Sequence, residues 1–593
     1  MPRVSSLTHD ALAVVGATAL LLSAVRAARF LLAGHSLRDA ASSALRSAVG
    51  FGLSLARAVP FAAEAIEAGL DSALDGLRDD LAPVSATSLR ELPARGRRAS
   101  AVEAELRAAI ADDAAHNGLA RGTAFGGIYH ALEGASSLSA LHAAVSALFI
   151  DTNLLYPGIF RAGRRAEAEA VAMAVSLQRE GAGGAVEGVR ASGACGLLTS
   201  GGTESVLLAV KAHRDAALAA LGFATGSDGM PAVAVAARAG RVLTVVAGVT
   251  AHPAFDKACE LFGLRLHKLA VDSTTLALTP AAVAGALGAD TLLVVASAPG
   301  FAHGVVDDVT GIAAAARDFK SSLWGARGVP VHVDNCLGGC LLSFAHAADE
   351  SGGGIPAFDF RVADNIASIS MDLHKYGGSP KGASVVAFRD AARRRFCYST
   401  TSTFPGGLYA TPTLAGSRGG VPAALAWSTL VATGKDGFAR AAARVSAAHA
   451  SLVAGIASTP GLRLLGTPHA CVVAFAPALD AQFSAYSVAA RMAERSGWKV
   501  ALLQSPPGAH VVVTERFAEP WTGSSDAGAP PRTVAEQWLA DLRAAVLDAT
   551  ATPKDPAFEG KGDAAIYGAA GALPSGEVDG ILRRYCDVLT CVR

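Results

Sequence analysis

The chain has 593 residues, more than one hydrophobic core usually supports, so we expect two or three folded units. Its 51 basic and 51 acidic residues cancel, so no basic footprint of a nucleic-acid-binding protein is visible. The eight cysteines lack the Cys-x-x-Cys and Cys/His spacings of zinc sites. We therefore expect reduced thiols, no bound metal and a catalytic region that faces the cytosol.

The first 66 residues are predicted to form a membrane anchor and an interfacial segment. Residues 11–25 are uncharged and apolar, but this run is shorter than the roughly 20 residues that span a bilayer. Because the arginines that follow can snorkel, the stretch 11–33 could still span, and the apolar patch 49–66 resembles an interfacial helix. Arginines are more frequent after the run than before it, which places that side in the cytosol. A signal peptide and a soluble helix are the alternative interpretations.

Residues 67–145 are predicted to be a linker and a helical segment, because charges and helix breakers precede a helix-like stretch at 101–118. From 146 to 425, β-prone runs alternate with helical patterns, which predicts a large α/β domain with a mostly parallel sheet. Long helices with short strands then predict a smaller C-terminal α/β domain at 426–593. The strands of the large domain are predicted at 242–247, 291–296, 331–333 and 366–371.

A helix predicted to begin near Gly201 carries a candidate phosphate site. Small residues give way there to an amphipathic pattern. A helix N-terminus offers free N–H groups and the positive end of a dipole, so Gly201, Gly202 and Thr203 can hold a phosphate. By itself the pattern also fits an ordinary helix start with Glu204 in its first turn.

Two further polar residues follow predicted strands. His252 comes shortly after the strand predicted at 242–247, where an imidazole can lie flat on an aromatic ring. Asp334 ends the strand at 331–333, and open α/β sheets bind ligands at the carboxyl ends of their strands. A carboxylate there can hold a pyridinium nitrogen protonated. Each residue alone also fits an ordinary loop or turn position.

Lys375 lies on a turn between two β-prone runs, within the sequence SISMDLHKYGGSPKGAS at 368–384. Ten of the 51 basic residues are lysines, so the choice of lysine at 375 and again at 381 indicates a chemical requirement. A lysine can lose its proton and form an imine, whereas an arginine cannot. A solvated loop charge is the alternative interpretation of a lone lysine.

The order of these features resembles the fold-type-I pyridoxal-phosphate enzymes in their decarboxylase-like branch. The resemblance is closer still to the sphingosine-1-phosphate lyases, and it covers roughly residues 92 to 590. It is carried by the motifs SGGTESVLLAVKAHRD, AHPAFDKACELFG, HGVVDDV, HVDNCLGG, SISMDLHKYGGSPKG and GGLYATPTLAGSRGG. It implies a fold-type-I PLP-dependent transferase fold with a mostly parallel seven-stranded sheet, a smaller C-terminal α/β domain and an N-terminal anchor in the endoplasmic reticulum membrane.

The resemblance also implies the chemistry. Pyridoxal 5′-phosphate would form an imine with Lys375, with its phosphate on residues 201–203 and His374 nearby. Its ring would lie under His252, and its nitrogen would lie against Asp334. A homodimer with a shared active site would cleave a phosphorylated sphingoid base between C2 and C3, giving a long-chain aldehyde and phosphoethanolamine.

The substrate-phosphate site that the resemblance implies is partly kept. Asn153 and Lys381 match the family, whereas Tyr156 stands where the family has a histidine and brings no positive charge. Tyr129 matches a tyrosine that the family places at the active site from the partner subunit. Gly378 replaces an aromatic residue of the lysine loop. These departures leave the cofactor chemistry intact and affect the preference for a phosphate.

Three functions compete on the sequence alone. The first is the lyase, and the second is a pyridoxal-phosphate amino-acid decarboxylase of the same branch, which would release carbon dioxide from an α-carboxylate. The third is a non-catalytic membrane protein with a decayed enzyme fold. The Asn153/Lys381 pair and the apolar N-terminus favour the lyase. The intact Lys375, Asp334 and His252 argue against the third.

Overall fold

The structure is a computed structural model of the chain, and it describes residues 93, 95–116, 123, 129, 138–180, 193–226, 229–348, 354–522, 532–553 and 575–590. The predicted anchor at 11–33 and the interfacial patch at 49–66 lie outside the described residues. In the described part of the chain, no helix is both long and apolar enough to cross a bilayer.

The helices of the described chain are named in chain order. The first seven are α1 (Ala99–His116), α2 (Ser139–Phe149), α3 (Arg161–Glu180), α4 (Gly202–Ala220), α5 (Ala232–Arg238), α6 (Ala254–Phe262) and α7 (Pro280–Ala286). They are followed by α8 (Val309–Asp318), α9 (Gly339–Ala348), α10 (Ala391–Arg394), α11 (Val421–Ala457), α12 (Ala485–Ser496), α13 (Val534–Ala551) and α14 (Ser575–Thr590). Short 3₁₀ turns lie at Arg395–Cys397 and Glu515–Ala518.

The described residues fall into two compact units. The larger takes its residues from 117–501 and 508–551, and it holds every candidate site residue. The smaller takes its residues from 1–116, 502–507 and 552–593 and includes α1 and α14. The domain boundaries given by the sequence at 66, 145 and 425 stay predictions.

A seven-stranded sheet, counted over the described residues, forms the centre of the larger unit. Strand β7 (Ser384–Phe388) is antiparallel to its neighbours β1 (Cys195–Thr199) and β6 (Ile366–Asp372), and the other neighbouring strands are parallel. The mostly parallel seven-stranded sheet expected from the sequence is confirmed. The strands are β1 (Cys195–Thr199), β2 (Thr244–Gly248), β3 (Arg265–Leu269), β4 (Thr291–Ser297), β5 (Val331–Asp334), β6 (Ile366–Asp372) and β7 (Ser384–Phe388), in the spatial order β1-β7-β6-β5-β4-β2-β3.

The central strands are buried along their whole length because both faces of the sheet are covered. Every residue of β4, TLLVVAS, is buried, and so is every residue of β6, IASISMD. Parallel sheets are built this way because their crossover helices lie on both faces. Val210 of α4 and Phe255 of α6 share one buried cluster with Leu293 of β4. The helices thereby fix the sheet, and each parallel strand reaches the same edge at its carboxyl end.

The register of β5 against β6 pairs the polar side chains inside this apolar sheet. His332 lies opposite Ser368, and Asp334 lies opposite Ser370. The Ser368 hydroxyl is 2.8 Å from His332 Nδ1, and the Ser370 hydroxyl donates to Asp334 Oδ1 at 3.0 Å. A buried polar group without a partner costs about 1–3 kcal/mol, so these pairs favour the observed register over a shift of one residue.

The C-terminal part of the chain adds shorter strands and long helices. Strand β10 (Leu462–Leu464) pairs antiparallel with β11 (Val472–Pro477), which pairs antiparallel with β13 (Pro507–Val512). Helix α12 packs against α13, so the smaller α/β domain expected at the C-terminus is confirmed as an architecture. The remaining strands are β8 (Ser399–Thr401), β9 (Tyr409–Thr411) and β12 (Ala501–Gln504).

Candidate active site

The carboxyl ends of the parallel strands bring the candidate residues to one edge of the large sheet. β1 ends at Thr199 just before α4, β5 ends at Asp334, and β6 ends at Asp372, three residues before Lys375. Because β7 is antiparallel, its first residue, Ser384, lies at the same edge, opposite both Thr199 and Asp372. The edge therefore collects a helix start, Asp334 and Lys375, which the sequence predicts for the carboxyl ends of an open α/β sheet, and a second carboxylate, Asp372.

The start of α4 has the features of an anion site. No side chain caps the helix at Gly201, whose backbone is extended. Glu204 turns back instead, and its Oε2 accepts hydrogen bonds of 2.7 Å from the backbone N–H and from the hydroxyl of Ser200. A Cβ on Gly202 would lie 2.8 Å from Asp372 Oδ1, so only glycine permits this close approach. The first turn therefore presents its N–H groups and the positive end of the helix dipole at the sheet edge.

Lys375 is held at this edge by Asp372. Its Nζ lies 2.9 Å from Asp372 Oδ2, and the side chains are 20% and 2% exposed. Burial alone would raise the pKa of Asp372, but the hydrogen bond from His374 and the charge of Lys375 outweigh it and lower that pKa to about 2. Burial alone would lower the pKa of Lys375, but the Asp372 carboxylate outweighs it and raises that pKa. The free lysine is therefore an ammonium at neutral pH.

His374 has one ring nitrogen directed to Asp372 and another without a partner. Its Nε2 lies 3.4 Å from Asp372 Oδ2. Its Nδ1 is buried and makes no hydrogen bond within the described part of the chain. A Cβ on Gly201 would lie 3.4 Å from His374 Cε1, so the imidazole lies against the start of α4. An unpaired buried nitrogen beside an uncapped helix start fits a phosphate group.

Asp334 is buried and oriented by two donors. The Ser370 hydroxyl donates to Oδ1 at 3.0 Å, and the backbone N–H of Cys336 donates to the same oxygen at 3.2 Å. Because both donors use Oδ1, the other oxygen can accept a hydrogen bond from a protonated ring nitrogen. This arrangement suits the role that the sequence assigns to Asp334.

His252 follows β2 at the same edge, and it is exposed. Its Nδ1 accepts a hydrogen bond of 3.1 Å from the N–H of Ala254, the first residue of α6. This bond fixes the ring at the helix start and leaves its faces open to a planar ligand. In the sheet, β4 separates β2 from β5, so His252 and Asp334 approach the site from different strands.

Lys381 and Tyr129 meet although they are far apart in the chain. The Lys381 ammonium lies 5.1 Å from the centroid of the Tyr129 ring and donates to the His374 carbonyl oxygen at 3.3 Å. Tyr129 packs edge-on against Tyr376, with ring centroids 5.0 Å apart. Burial raises the pKa of the Tyr129 hydroxyl to about 12, so it remains a donor at neutral pH.

Tyr129 is expected at the active site of a partner subunit, and that expectation stays a prediction. Tyr129 lies against Tyr376 and Lys381 of its own chain. The carbonyl oxygen of Thr123, six residues earlier, accepts a hydrogen bond of 2.9 Å from the Lys499 N–H.

Asn153 belongs to a neighbouring set of contacts. Its Nδ2 donates to Ser417 Oγ at 3.1 Å, and its Oδ1 accepts from the N–H groups of Leu155 at 3.0 Å and Arg418 at 3.3 Å. Tyr156 is 53% exposed, and no hydrogen bond among the described residues joins it to Asn153 through its hydroxyl. Asn153 is therefore held by Ser417 and Arg418, whereas the side chain of Tyr156 is exposed.

The loop of Lys381 approaches the Asn153 contacts through the start of α11. The N–H of Gly420 donates to Thr152 Oγ1 at 3.0 Å, which fixes the residue that precedes α11. A Cβ on Gly382 would lie 3.6 Å from Pro422, the second residue of α11. Lys381 and Asn153 thus lie on either side of one helix start, although no direct contact joins them in the described residues.

Two residues of the site were not singled out for a role from the sequence. Asp372 ends a buried strand three residues before Lys375, and that position could have indicated it. Tyr376 follows Lys375 directly, and its hydroxyl donates to the Val513 carbonyl oxygen at 2.7 Å. No local pattern indicates that contact, because Val513 lies in a distant part of the chain.

Comparisons with known proteins identify the family. No protein-family model matches the chain. The chain is 34% identical to the sphingosine-1-phosphate lyase of Dictyostelium discoideum over 74% of this chain and 72% of that protein. It is 31% identical to the sphingosine-1-phosphate lyase of Arabidopsis thaliana over 91% of this chain and 88% of that protein.

The chain belongs to the sphingosine-1-phosphate lyase family. A solved sphingosine-1-phosphate lyase from Burkholderia pseudomallei is 30% identical, with a TM-score of 0.67, and covers 85% of this chain and 98% of its own. The glutamate decarboxylase of Lactobacillus brevis is 17% identical, with a TM-score of 0.60, over 78% of this chain and 96% of its own. That distant likeness shows the fold alone, and it confirms the fold-type-I prediction. The relatives that are more than 30% identical confirm the family prediction.

Within the lyase family, this chain closes its lysine loop with a glycine for a structural reason. Gly378 has a φ of 73°, and its N–H donates to the Lys375 carbonyl oxygen at 3.0 Å. Glycine adopts this left-handed conformation without strain, whereas an aromatic residue there would be strained. Glycine at 378 therefore suits the turn directly after Lys375.

Proposed function

We propose that this lyase-family protein cleaves phosphorylated sphingoid bases between C2 and C3, giving a long-chain aldehyde and phosphoethanolamine, in sphingolipid breakdown. The observation that carries the proposal is the position of Lys375, at the sheet edge that also holds the start of α4 and Asp334. The substrate class is supported by relatives named sphingosine-1-phosphate lyase, among them one from Rattus norvegicus that is 32% identical over 87% of this chain and 80% of its own.

The residues at this edge fit pyridoxal 5′-phosphate. The phosphate would lie at the start of α4, on residues 201–203, where His374 Nδ1 has no partner. Asp334 would hold the ring nitrogen, His252 would cover the ring, and Lys375 would bond to the aldehyde carbon. When bound, the cofactor supplies an electron-accepting ring that takes up the charge released by carbon–carbon cleavage.

The chain's own residues are proposed to orient the substrate and to donate hydrogen bonds to it. Tyr376 is fixed by its hydrogen bond to the Val513 carbonyl oxygen, and it supports Tyr129 edge-on. The Tyr129 hydroxyl stays protonated at neutral pH, so it can donate a hydrogen bond to a substrate oxygen. Because these groups are held by packing, they stay aligned while the substrate binds.

The substrate phosphate is proposed to bind Lys381, Asn153 and Tyr156. Lysine suits a phosphate as a compact point charge, and Lys381 is supported by the ring of Tyr129. Burial and the positive charge of Lys375 lower the pKa of Lys381, so the two ammonium groups are close enough to interact electrostatically. Tyr156 adds a neutral donor where the family has a histidine.

A comparison of a phosphorylated sphingoid base with its dephosphorylated form tests this function. The wild-type protein should release aldehyde preferentially from the phosphorylated form, because Lys381 adds a charged contact. In Lys381→Ala, the loss of that contact should cost about 2–5 kcal/mol in kcat/KM and erase the preference, while the visible absorbance of the bound cofactor stays. Lys257→Ala, which removes an exposed lysine of α6, should leave the preference unchanged.

The same assay distinguishes the alternative function. A wild-type protein without any preference for the phosphorylated form would reject the lyase proposal. A panel of amino acids assayed for carbon dioxide would then test the decarboxylase. Tyr156→His restores the family residue and should keep or raise the preference for the phosphate.

We also propose that residues 11–33 tether the enzyme to the endoplasmic reticulum membrane with its catalytic region in the cytosol. The apolar run and the arginines that follow it support this topology. Deleting residues 1–66 should release active protein from membranes, as measured by fractionation followed by the aldehyde assay. Full-length protein in the soluble fraction, or glycans on the catalytic region, would contradict the proposal.

A homodimer is proposed on the strength of the family resemblance and of exposed apolar side chains in the larger unit. Six such side chains are at least 70% exposed: Leu148, Ile150, Ile159, Leu408, Leu479 and Leu547. Such side chains mark a protein interface where they form one contiguous patch. Light scattering of the purified protein should give twice the mass of one chain, and the mass of a single chain would reject the dimer.

A further inference from the structure

Asp372 is a buried carboxylate to which the proposed function assigns no part. Its side chain is 2% exposed, and its Oδ2 lies 2.9 Å from Lys375 Nζ and 3.4 Å from His374 Nε2. Its Oδ1 is buried without a hydrogen-bond partner in the described residues, and it would lie 2.8 Å from a Cβ on Gly202. A carboxylate buried this deeply is costly unless a positive charge faces it, and Lys375 supplies that charge.

Asp372 supplies the negative charge that faces Lys375. The other titratable groups that share an electrostatic interaction with Lys375 are Cys336, Tyr129, Cys471 and Lys381. Burial raises the pKa of both thiols and of the tyrosine hydroxyl, so these three groups are neutral at pH 7. Lys381 has no negative form. Among these groups of the described chain, only Asp372 is an anion.

The charge on the Lys375 nitrogen is the same before and after it bonds to an aldehyde. The free ammonium carries three protons. When its nitrogen joins an aldehyde carbon, two of these protons leave with the aldehyde oxygen as water, and the nitrogen keeps one proton and its positive charge. The nitrogen therefore gains from a counter-ion in both states, and Asp372 lies within hydrogen-bond distance of it.

We propose that Asp372 is a positioning residue that keeps the Lys375 nitrogen positively charged, both in the free lysine and in the lysine bonded to the cofactor aldehyde. The inference rests on the proposed function for the identity of that aldehyde. A substrate amine attacks the carbon of a carbon–nitrogen double bond most readily when the nitrogen of that bond is protonated. Because His374 shares the same carboxylate oxygen, Asp372 also sets the direction in which His374 Nδ1 meets the phosphate.

Two readouts of the Lys375 nitrogen test the proposal in Asp372→Asn, which keeps the shape and removes the charge. In full-length protein stripped of cofactor, Lys375 is labelled at pH 9 with a small amine-reactive reagent, and the labelling rate is measured by mass spectrometry. That rate reports the fraction of the free lysine that is neutral. In cofactor-loaded protein, the pH midpoint of the visible absorbance reports the proton on the bonded nitrogen. The variant should label at least about tenfold faster, and its midpoint should fall by about one pH unit or more.

Asp364→Asn is the matched control. Asp364 lies just before the opposite end of β6, and its side chain is fully exposed, so its loss should change neither readout. Asp372→Glu keeps the charge and should stay close to the wild-type midpoint. Asp372→Ser, a smaller neutral side chain, replaces the asparagine variant if that variant does not fold.

Wild-type labelling and midpoint in the neutral variants at 372 would overturn the inference. So would wild-type Lys375 that labels as fast as the exposed Lys257. Neither readout depends on the substrate. If the neutral variants show both shifts while the wild-type protein releases no aldehyde, the proposed function is rejected and the inference stands.

Discussion

Lys375→Ala should purify without the visible absorbance of a lysine-bound cofactor and should release no aldehyde from substrate. Alanine has no nitrogen to bond to the cofactor, and no other lysine of the described chain lies within hydrogen-bond distance of Asp372 at this edge. The spectrum of the purified protein, the mass of the chain after borohydride reduction and the aldehyde assay measure the effect. Activity should fall below detection, because the bond to the lysine is a required step of the proposed mechanism.

Lys375→Arg is the matched control for stability. Alanine leaves Asp372 buried without its counter-ion, which costs about 3–5 kcal/mol for a buried pair. Arginine keeps a positive charge beside Asp372 but does not lose its proton to form the bond. Both variants should therefore be inactive, whereas only the alanine variant should lose much of its free energy of unfolding. Absorbance and turnover that persist in either variant would show that another residue carries the cofactor.

Asp334→Ala should lower turnover by at least about 100-fold, or about 3 kcal/mol, while the cofactor stays bonded to Lys375. The expected reason is that a buried carboxylate keeps the ring nitrogen protonated, and a protonated ring accepts the electrons of bond cleavage more readily. Steady-state aldehyde release measures the loss, and borohydride reduction followed by mass measurement confirms that the cofactor is still attached. Turnover close to wild type would exclude this role for Asp334.

Two companion variants separate the charge of Asp334 from its packing. Asp334→Asn keeps the size of the side chain and the hydrogen bond from Ser370, so it should lose nearly as much turnover as alanine. Ser370→Ala removes only the donor that orients Asp334 and leaves the carboxylate in place. It should lose less than either, because the Cys336 N–H still holds Oδ1. If Ser370→Ala is as inactive as Asp334→Ala, the site requires the orientation of the Asp334 carboxylate rather than its charge.

The strand ends of the site could be predicted from the sequence because their signals are local. The runs TLLVVAS of β4, IASISMD of β6 and VHVD of β5 are rich in apolar and β-prone residues, so each indicates a strand without knowledge of its neighbours. Asp334 directly ends one of them, and Lys375 follows another by three residues. A turn residue after a buried strand must reach the edge of the sheet, so the sequence placed both residues at the ligand-binding edge and the order of motifs indicated the family.

The partners of these residues depended on the tertiary structure. The sequence does not encode the direction of β7, yet its antiparallel course is what places Ser384 opposite both Thr199 and Asp372. Strand register is decided by the side chains of two strands together, so the pairing of Asp334 with Ser370 appears only in the sheet.

The sequence by itself determined which residues stand at the ends of strands and at the start of α4, and through them the family. Only the tertiary structure decided that Asp372 faces Lys375 and that Lys381 rests on Tyr129. A strand or a helix start is specified by neighbours along the chain, whose preferences can be read one segment at a time. A contact between side chains from distant segments is specified by how several elements pack at once, and no single segment carries that information.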